Sequence, residues 1–119
     1  MSVITYTGSA PAPKHLKTYV SPEGKDVFQE WFTHLKDRKG RSIIRARLDR
    51  LETGNPGDCA GVGAGVHELR IHWGPGYRIY FGEEGKTAVI LLIGGDKSTQ
   101  RKDIHKAQAF WAEYRNRTL

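Results

Sequence analysis

HELRIHWGPGYRIYF (His67–Phe81), a short charged turn and then TAVILLIGGDKSTQRKDI (Thr87–Ile104) form the stretch that decides the fold of this 119-residue chain. Three β-like runs are predicted in it, from Val66 to Trp73, from Tyr77 to Phe81 and from Thr87 to Ile93. Gly74-Pro75-Gly76 and Glu83-Glu84-Gly85-Lys86 read as the turns between them, so the runs should form an antiparallel meander. Side chains alternate between the faces of a strand. Leu69 and Ile71 therefore share one face, and Glu68, Arg70 and His72 the other. In the next run, Arg78 and Tyr80 oppose Tyr77, Ile79 and Phe81. If the register allows, Glu68, Arg70, His72, Arg78 and Tyr80 stand together, with Lys97 arriving at the end of the last strand. Such a face is suited to polyanions, because arginine grips phosphate through a planar fork.

Leu16 to Val20 reads as a further short strand, with Tyr19 on the face opposite Leu16, Thr18 and Val20. Ser21-Pro22 is predicted to open a helix, serine as N-cap and proline at the first helical position. Val27, Phe28, Trp31, Phe32 and Leu35 carry that helix to about Lys36 or Asp37. Gly40 should separate it from a second helix whose inner side is Ile43, Ile44, Arg47, Leu48 and Leu51, stopped by Gly54 and Pro56. Residues 54–65 are rich in glycine and read as a loop. A last helix is predicted from Thr99 or Gln100 to about Arg115, with Ile104, Ala107, Phe110 and Trp111 on its apolar side. The order β-α-α-β-β-β-α describes one α+β domain spanning residues 15–119, with an antiparallel sheet and its helices packed on one face. Residues 1–14, with Gly8, Ser9, Pro11 and Pro13, read as a flexible lead-in.

A chain of this length suits one domain with one core. Its longest apolar run, Ala88 to Ile93, has the length of a strand and not of a membrane span, and the N-terminus has no secretory pattern, so a cytoplasmic location is expected. Nineteen Lys and Arg against 13 Asp and Glu give a formal charge of +6. The excess is uneven. Arg38, Lys39, Arg41, Arg45, Arg47 and Arg50 crowd the second helix around Asp49, which suggests a nucleic-acid or acidic partner; Arg41, Arg45, Arg47 and Arg50 are the candidate RNA-binding residues.

Several chemistries are excluded by spacing. Gly94-Gly95-Asp96-Lys97-Ser98-Thr99 resembles a P-loop, but too little loop precedes the lysine and Asp96 would repel phosphate. The five histidines form no HExxH pattern, and His67 and His72 face opposite sides of one strand, so no metal or other cofactor is expected. The single cysteine, Cys59, has no internal disulfide partner and reads as a spare thiol.

Taken in order, Trp31, Leu35-Lys36-Asp37, Arg47-Leu48-Asp49-Arg50-Leu51, Gly54-Asn55-Pro56-Gly57-Asp58, Glu68-Leu69-Arg70-Ile71, Gly74-Pro75-Gly76-Tyr77-Arg78-Ile79-Tyr80-Phe81, Gly94-Gly95-Asp96-Lys97-Ser98-Thr99-Gln100, Asp103-Ile104 and Ala107 resemble the RelE/ParE superfamily of type II toxins, in its phage-derived addiction-module-killer branch. The resemblance covers roughly Phe28 to Trp111. It implies a RelE-like fold and a toxin neutralised by a helix-turn-helix antitoxin encoded by an adjacent gene. RelE-like members cut mRNA, usually on the ribosome, whereas ParE-like members poison DNA gyrase without being nucleases. It also implies that Arg78 holds the scissile phosphate and that Lys97 helps to stabilise charge. Cleavage by 2′-OH attack needs no metal; it needs a base, an acid and cations for the phosphorane. Arg70, Arg78 and Lys97 suit the cationic role. Tyr80 suits proton donation or base stacking, and His72 is the best acid or base by chemistry. The segment after the last strand, DKSTQ, lacks the histidine or tyrosine of the better-known nucleases.

Overall fold

The computed structural model describes residues 12–117. Its elements are β1 (His15–Thr18), α1 (Val27–Thr33), α2 (Arg38–Glu52), β2 (Cys59–Gly61), β3 (Val66–Ile71), β4 (Tyr77–Glu84), β5 (Ala88–Asp96), a 3₁₀ turn (Lys97–Thr99) and α3 (Gln100–Arg117). They build an α+β fold around one five-stranded sheet of order β1-β5-β4-β3-β2. The meander β3-β4-β5 is antiparallel, as the turns require, but β1 runs parallel to β5, so the sheet is mixed. The glycine-rich segment holds an unexpected strand: Cys59–Gly61 pairs antiparallel with β3, Cys59 opposite Leu69. β5 reads as a continuous apolar run because it lies between two strands and is covered on both faces.

The helices do not share a face. Phe28 and Phe32 of α1 and Ile44 and Leu51 of α2 pack on Leu69, Ile71, Tyr77, Ile79, Phe81, Val89 and Leu91. Ala107 and Trp111 of α3 pack on the reverse face, with Tyr19, Val66, Tyr80, Ile90, Leu92 and Ile93. The single-faced arrangement expected from the sequence is therefore corrected to helix–sheet–helix layers. The physical reason is that both strand parities carry apolar residues, so neither face can be left to water. A β-bulge between Tyr80 and Phe81, where the partner on β5 jumps from Ile93 to Leu91, turns Leu92 and Ile93 toward the α3 side together.

Two glycines inside strands seat the outer layers. A methyl on Gly82 would lie 2.5 Å from the Trp111 ring, and one on Gly94 would overlap the Trp31 ring. Each strand thus leaves a flat bed for one indole, one on either face.

The helix starts also differ from expectation. Ser21 closes a tight turn instead, accepting from the Lys25 N–H at 3.1 Å, and Gly24 takes φ +86°. Asp26 is the N-cap of α1, its carboxylate accepting from Gln29 N–H at 3.0 Å and from the Thr18 hydroxyl. Asp37 caps α2 by accepting from Gly40 N–H at 2.8 Å, so Gly40 lies in the first turn of α2 and not between helices. The other oxygen of Asp37 accepts from Tyr77 Oη at 2.8 Å and Trp73 Nε1 at 3.3 Å, which fastens α2 to the β3–β4 hairpin. Of the predicted lead-in, residues 1–11 lie outside the described residues; Lys14 is anchored, its N–H donating to Glu52 O at 2.7 Å. No helix among the described residues is long and apolar enough to cross a membrane.

Gly82→Ala should displace Trp111 and destabilise the fold by about 1–3 kcal/mol, the usual cost of overpacking. Urea unfolding of the variant, with tryptophan fluorescence as the probe, measures it.

Candidate functional site

The sheet register puts Arg70 directly opposite Arg78 and Glu68 directly opposite Tyr80. The predicted parity therefore holds, and all four lie on the α3 side. What parity did not reveal is that α3 covers most of this face. Glu68 and Tyr80 have no exposed surface, and Arg78 retains 7%. Glu68 accepts from Arg70 Nε at 2.9 Å, Tyr80 Oη at 2.9 Å and Gln100 Nε2 at 2.8 Å. Burial acts to raise the Glu68 carboxyl, but the bonds from Gln100, Arg70 and Tyr80 outweigh it and hold it below its ordinary value. Tyr80 is driven far above the usual phenol range, first by burial and then by its bond to Glu68. The structure contradicts Tyr80 as a stacking platform or proton donor: no base can reach it, and its proton is committed to Glu68.

Beyond the first turn of α3 the face opens into a cleft of about 320 Å³, lined by His72, Trp73, Gly74, Pro75, Gly76, Arg78 and Lys97. Three elements deliver its polar groups: the chain leaving β3 brings His72, the start of β4 brings Arg78, and the 3₁₀ turn after β5 brings Lys97. Gly76, at φ +81°, lets the hairpin pass close to both cations; a methyl there would sit 3.4 Å from Lys97 Cβ and 3.5 Å from Arg78 Nη1. Arg78 Nη1 donates at 3.3 Å to the carbonyls of Gly76 and Tyr77. Its Nε is buried without a hydrogen bond, 3.9 Å from Glu68 Oε2. The guanidinium is thus held by its own turn and steered by Glu68, with an edge toward the cleft. Lys97 is exposed and makes no ion pair among the described residues. Trp73, 36% exposed, lies under Lys39 Nζ, 4.9 Å from its ring centre.

The other predicted residues divide. Arg70 is spent on Glu68, with Asp58 a further 3.9 Å from Nη1, and stands beside the cleft instead of lining it. On α2, Arg45 and Arg50 are exposed, Arg45 resting 5.3 Å from the Phe32 ring centre. Arg41 donates to the Leu35 carbonyl. Arg47 is corrected from an RNA-binding to a structural residue: its guanidinium donates to Arg70 O at 2.5 Å, Pro56 O at 2.9 Å and Asp58 O at 3.2 Å. Arg47 thereby ties α2 to β3 and to the loop before β2, satisfying Pro56 O and adding to the backbone bond that Asp58 O accepts from Arg70 N–H. Cys59 is half-buried, and burial pushes its thiol up, away from the reactive thiolate.

One residue was missed. Asp58 accepts from His72 Nε2 at 2.6 Å. That bond, ahead of the charges of His72 and Arg70, holds the Asp58 carboxyl below its ordinary value against a smaller upward push from burial. The GNPGD segment could have signalled it only through knowledge that β2 pairs with β3.

Fold and site together define a small α+β protein with a cationic cleft at the end of its central strands. No protein-family model matches the chain. A Haemophilus influenzae protein described as an "Uncharacterized protein" is 48% identical over 82 residues, which cover 69% of this chain and 83% of that protein. The chain belongs to the same family as that Haemophilus protein.

Glu68→Ala leaves Arg70, Tyr80 and Gln100 without their shared acceptor and should cost about 3–5 kcal/mol of stability. Because the folded Glu68 carboxyl lies below its unfolded value of ~4.3, its contribution is complete above that pH and disappears as pH falls through the folded value. Denaturant titrations over the acid range should show a flatter loss of stability in Glu68→Gln than in the wild type.

Proposed function

We infer that this chain is the toxin of a type II toxin–antitoxin pair, of RelE/ParE type, and that it is an mRNA endoribonuclease acting in the cytoplasm on translating ribosomes. Its partners are mRNA, the ribosome and a helix-turn-helix antitoxin from a neighbouring gene. The observation that carries the reading is the cleft in which His72, Arg78 and Lys97 come together. The motif resemblance set out above supplies the class of substrate.

The cleft chemistry suits phosphodiester cleavage without a metal. The attacking 2′ oxygen forms a bond to phosphorus while the bond from phosphorus to the 5′ oxygen breaks. Negative charge grows on the phosphorane oxygens, where the Arg78 guanidinium and the Lys97 ammonium stabilise it. His72 accepts the 2′ proton, and the departing 5′ oxygen takes a proton from water. The products are a 2′,3′-cyclic phosphate and a 5′ hydroxyl. Trp73 offers an exposed ring beside the phosphate position on which a base can stack.

Lys97→Ala should lower cleavage by about 10²–10³-fold, the usual effect of losing one transition-state donor. Arg78→Ala should do at least as much. Both variants should still bind the antitoxin. Primer extension on cellular mRNA after induction checks this, with circular dichroism confirming that the Arg78→Ala chain is folded. Growth arrest with intact mRNA and trapped gyrase–DNA breaks would refute the nuclease reading and favour gyrase poisoning.

A further inference from the structure

We propose that Asp58 is a positioning residue, forming with His72 a dyad that fixes the imidazole in one tautomer for proton transfer; this role rests on the nuclease reading above. The observation is the 2.6 Å contact between His72 Nε2 and Asp58 Oδ2 at the mouth of the cleft. An ionised carboxylate only accepts hydrogen bonds, so Nε2 carries a proton and, in the neutral ring, Nδ1 keeps the lone pair. A neutral imidazole so held has one free basic nitrogen, and His72 lines the same cleft as Arg78 and Lys97. The side chain of His72 is 71% exposed, so packing does little to orient the ring and the carboxylate does most of it.

Asp58 is in turn held by its own backbone. Its carbonyl accepts from Arg70 N–H at 2.9 Å and from Arg47 Nη2 at 3.2 Å, which fixes the position of the carboxylate before β2 begins. Arg47, Asp58 and His72 thus form a chain from α2 to the cleft, and the half-buried Arg47 acquires a purpose that its charge alone does not explain. The proton balance follows. The 2′-OH proton passes to His72 Nδ1 as the bond from the 2′ oxygen to phosphorus forms, giving an imidazolium whose charge faces the Asp58 carboxylate. The bond to the 5′ oxygen breaks, that oxygen is protonated by water, and His72 later returns its proton to solvent.

Asp58→Asn keeps the size of the side chain and both backbone bonds but offers an amide N–H as well as an oxygen, so the ring is free to invert its tautomer. Two readouts on the full chain test the role. In nitrogen NMR of the ring, wild type should show the Nε2–H form of His72, and Asp58→Asn should shift toward Nδ1–H. In a translation extract, Asp58→Asn should lower the cleavage rate constant about 10²-fold with KM unchanged, as expected for a displaced base, while Asp58→Glu recovers part of the rate. Thermal unfolding should be unaltered. Wild-type cleavage by Asp58→Asn, alongside inactive Lys97→Ala, overturns the dyad and leaves the nuclease reading standing; an unchanged ring tautomer overturns it equally. RNA left intact by the wild-type chain overturns the nuclease reading itself and this role with it.

Discussion

A carboxylate with no exposed surface, Glu68, sits in the middle of the sheet, and much of the remaining architecture follows from the need to satisfy it. A buried charge is tolerable only when paired and hydrogen-bonded. Glu68 draws one donor from its own strand, Arg70, one from the neighbouring strand, Tyr80, and one from the helix above, Gln100. Three elements are thereby registered to a single point. The first turn of α3 cannot slide without breaking the Gln100 bond, and Tyr80 cannot turn outward without breaking its own. Arg78, 3.9 Å away, is steered by the same charge.

The consequence is a division of labour among cations that look alike in sequence. Arg70 is held by the buried carboxylate, and Arg47 is held by three carbonyls of the loop and strand it supports. Arg78 is half committed: Nη1 serves its own turn, while the side chain, 7% exposed, still lines the cleft. Lys97 is uncommitted, carried to the rim by a 3₁₀ turn whose capping box, Asp96 with Thr99, spends the nearby acid on backbone. The Asp96 carboxylate accepts from Ser98 N–H at 2.8 Å.

Legibility varied with the range of the interaction. The meander, its Gly-Pro-Gly turn and the two parities of β3 and β4 could be read directly, because a period of two and that turn are local signals, whereas β4 extends through the predicted turn residues Glu83 and Glu84 and β5 runs on to Asp96. The apolar side of α3 was visible in Ile104, Ala107, Phe110 and Trp111 for the same reason. The start of α1 was misplaced because Ser21-Pro22 suits a turn as well as a helix, and the bridge between Val20 and Asp26 chose the turn. Asp58 went unnoticed beside His72, 14 residues away, because only the pairing of Cys59 with Leu69 brings them together.

By itself the sequence determined the α+β class, the strand order of the meander and the grouping of Glu68, Arg70, Arg78 and Tyr80 on one face, since each depends on backbone periodicity and turn chemistry. Only the tertiary structure decided which of those groups meets water. Exposure is a property of what packs on top, and α3 crosses the sheet where Gly82 accepts Trp111 and Glu68 accepts Gln100. That crossing seals Glu68 and Tyr80, leaves Arg78 only 7% exposed at the edge of the cleft, and stops short of His72 and Lys97, which meet water.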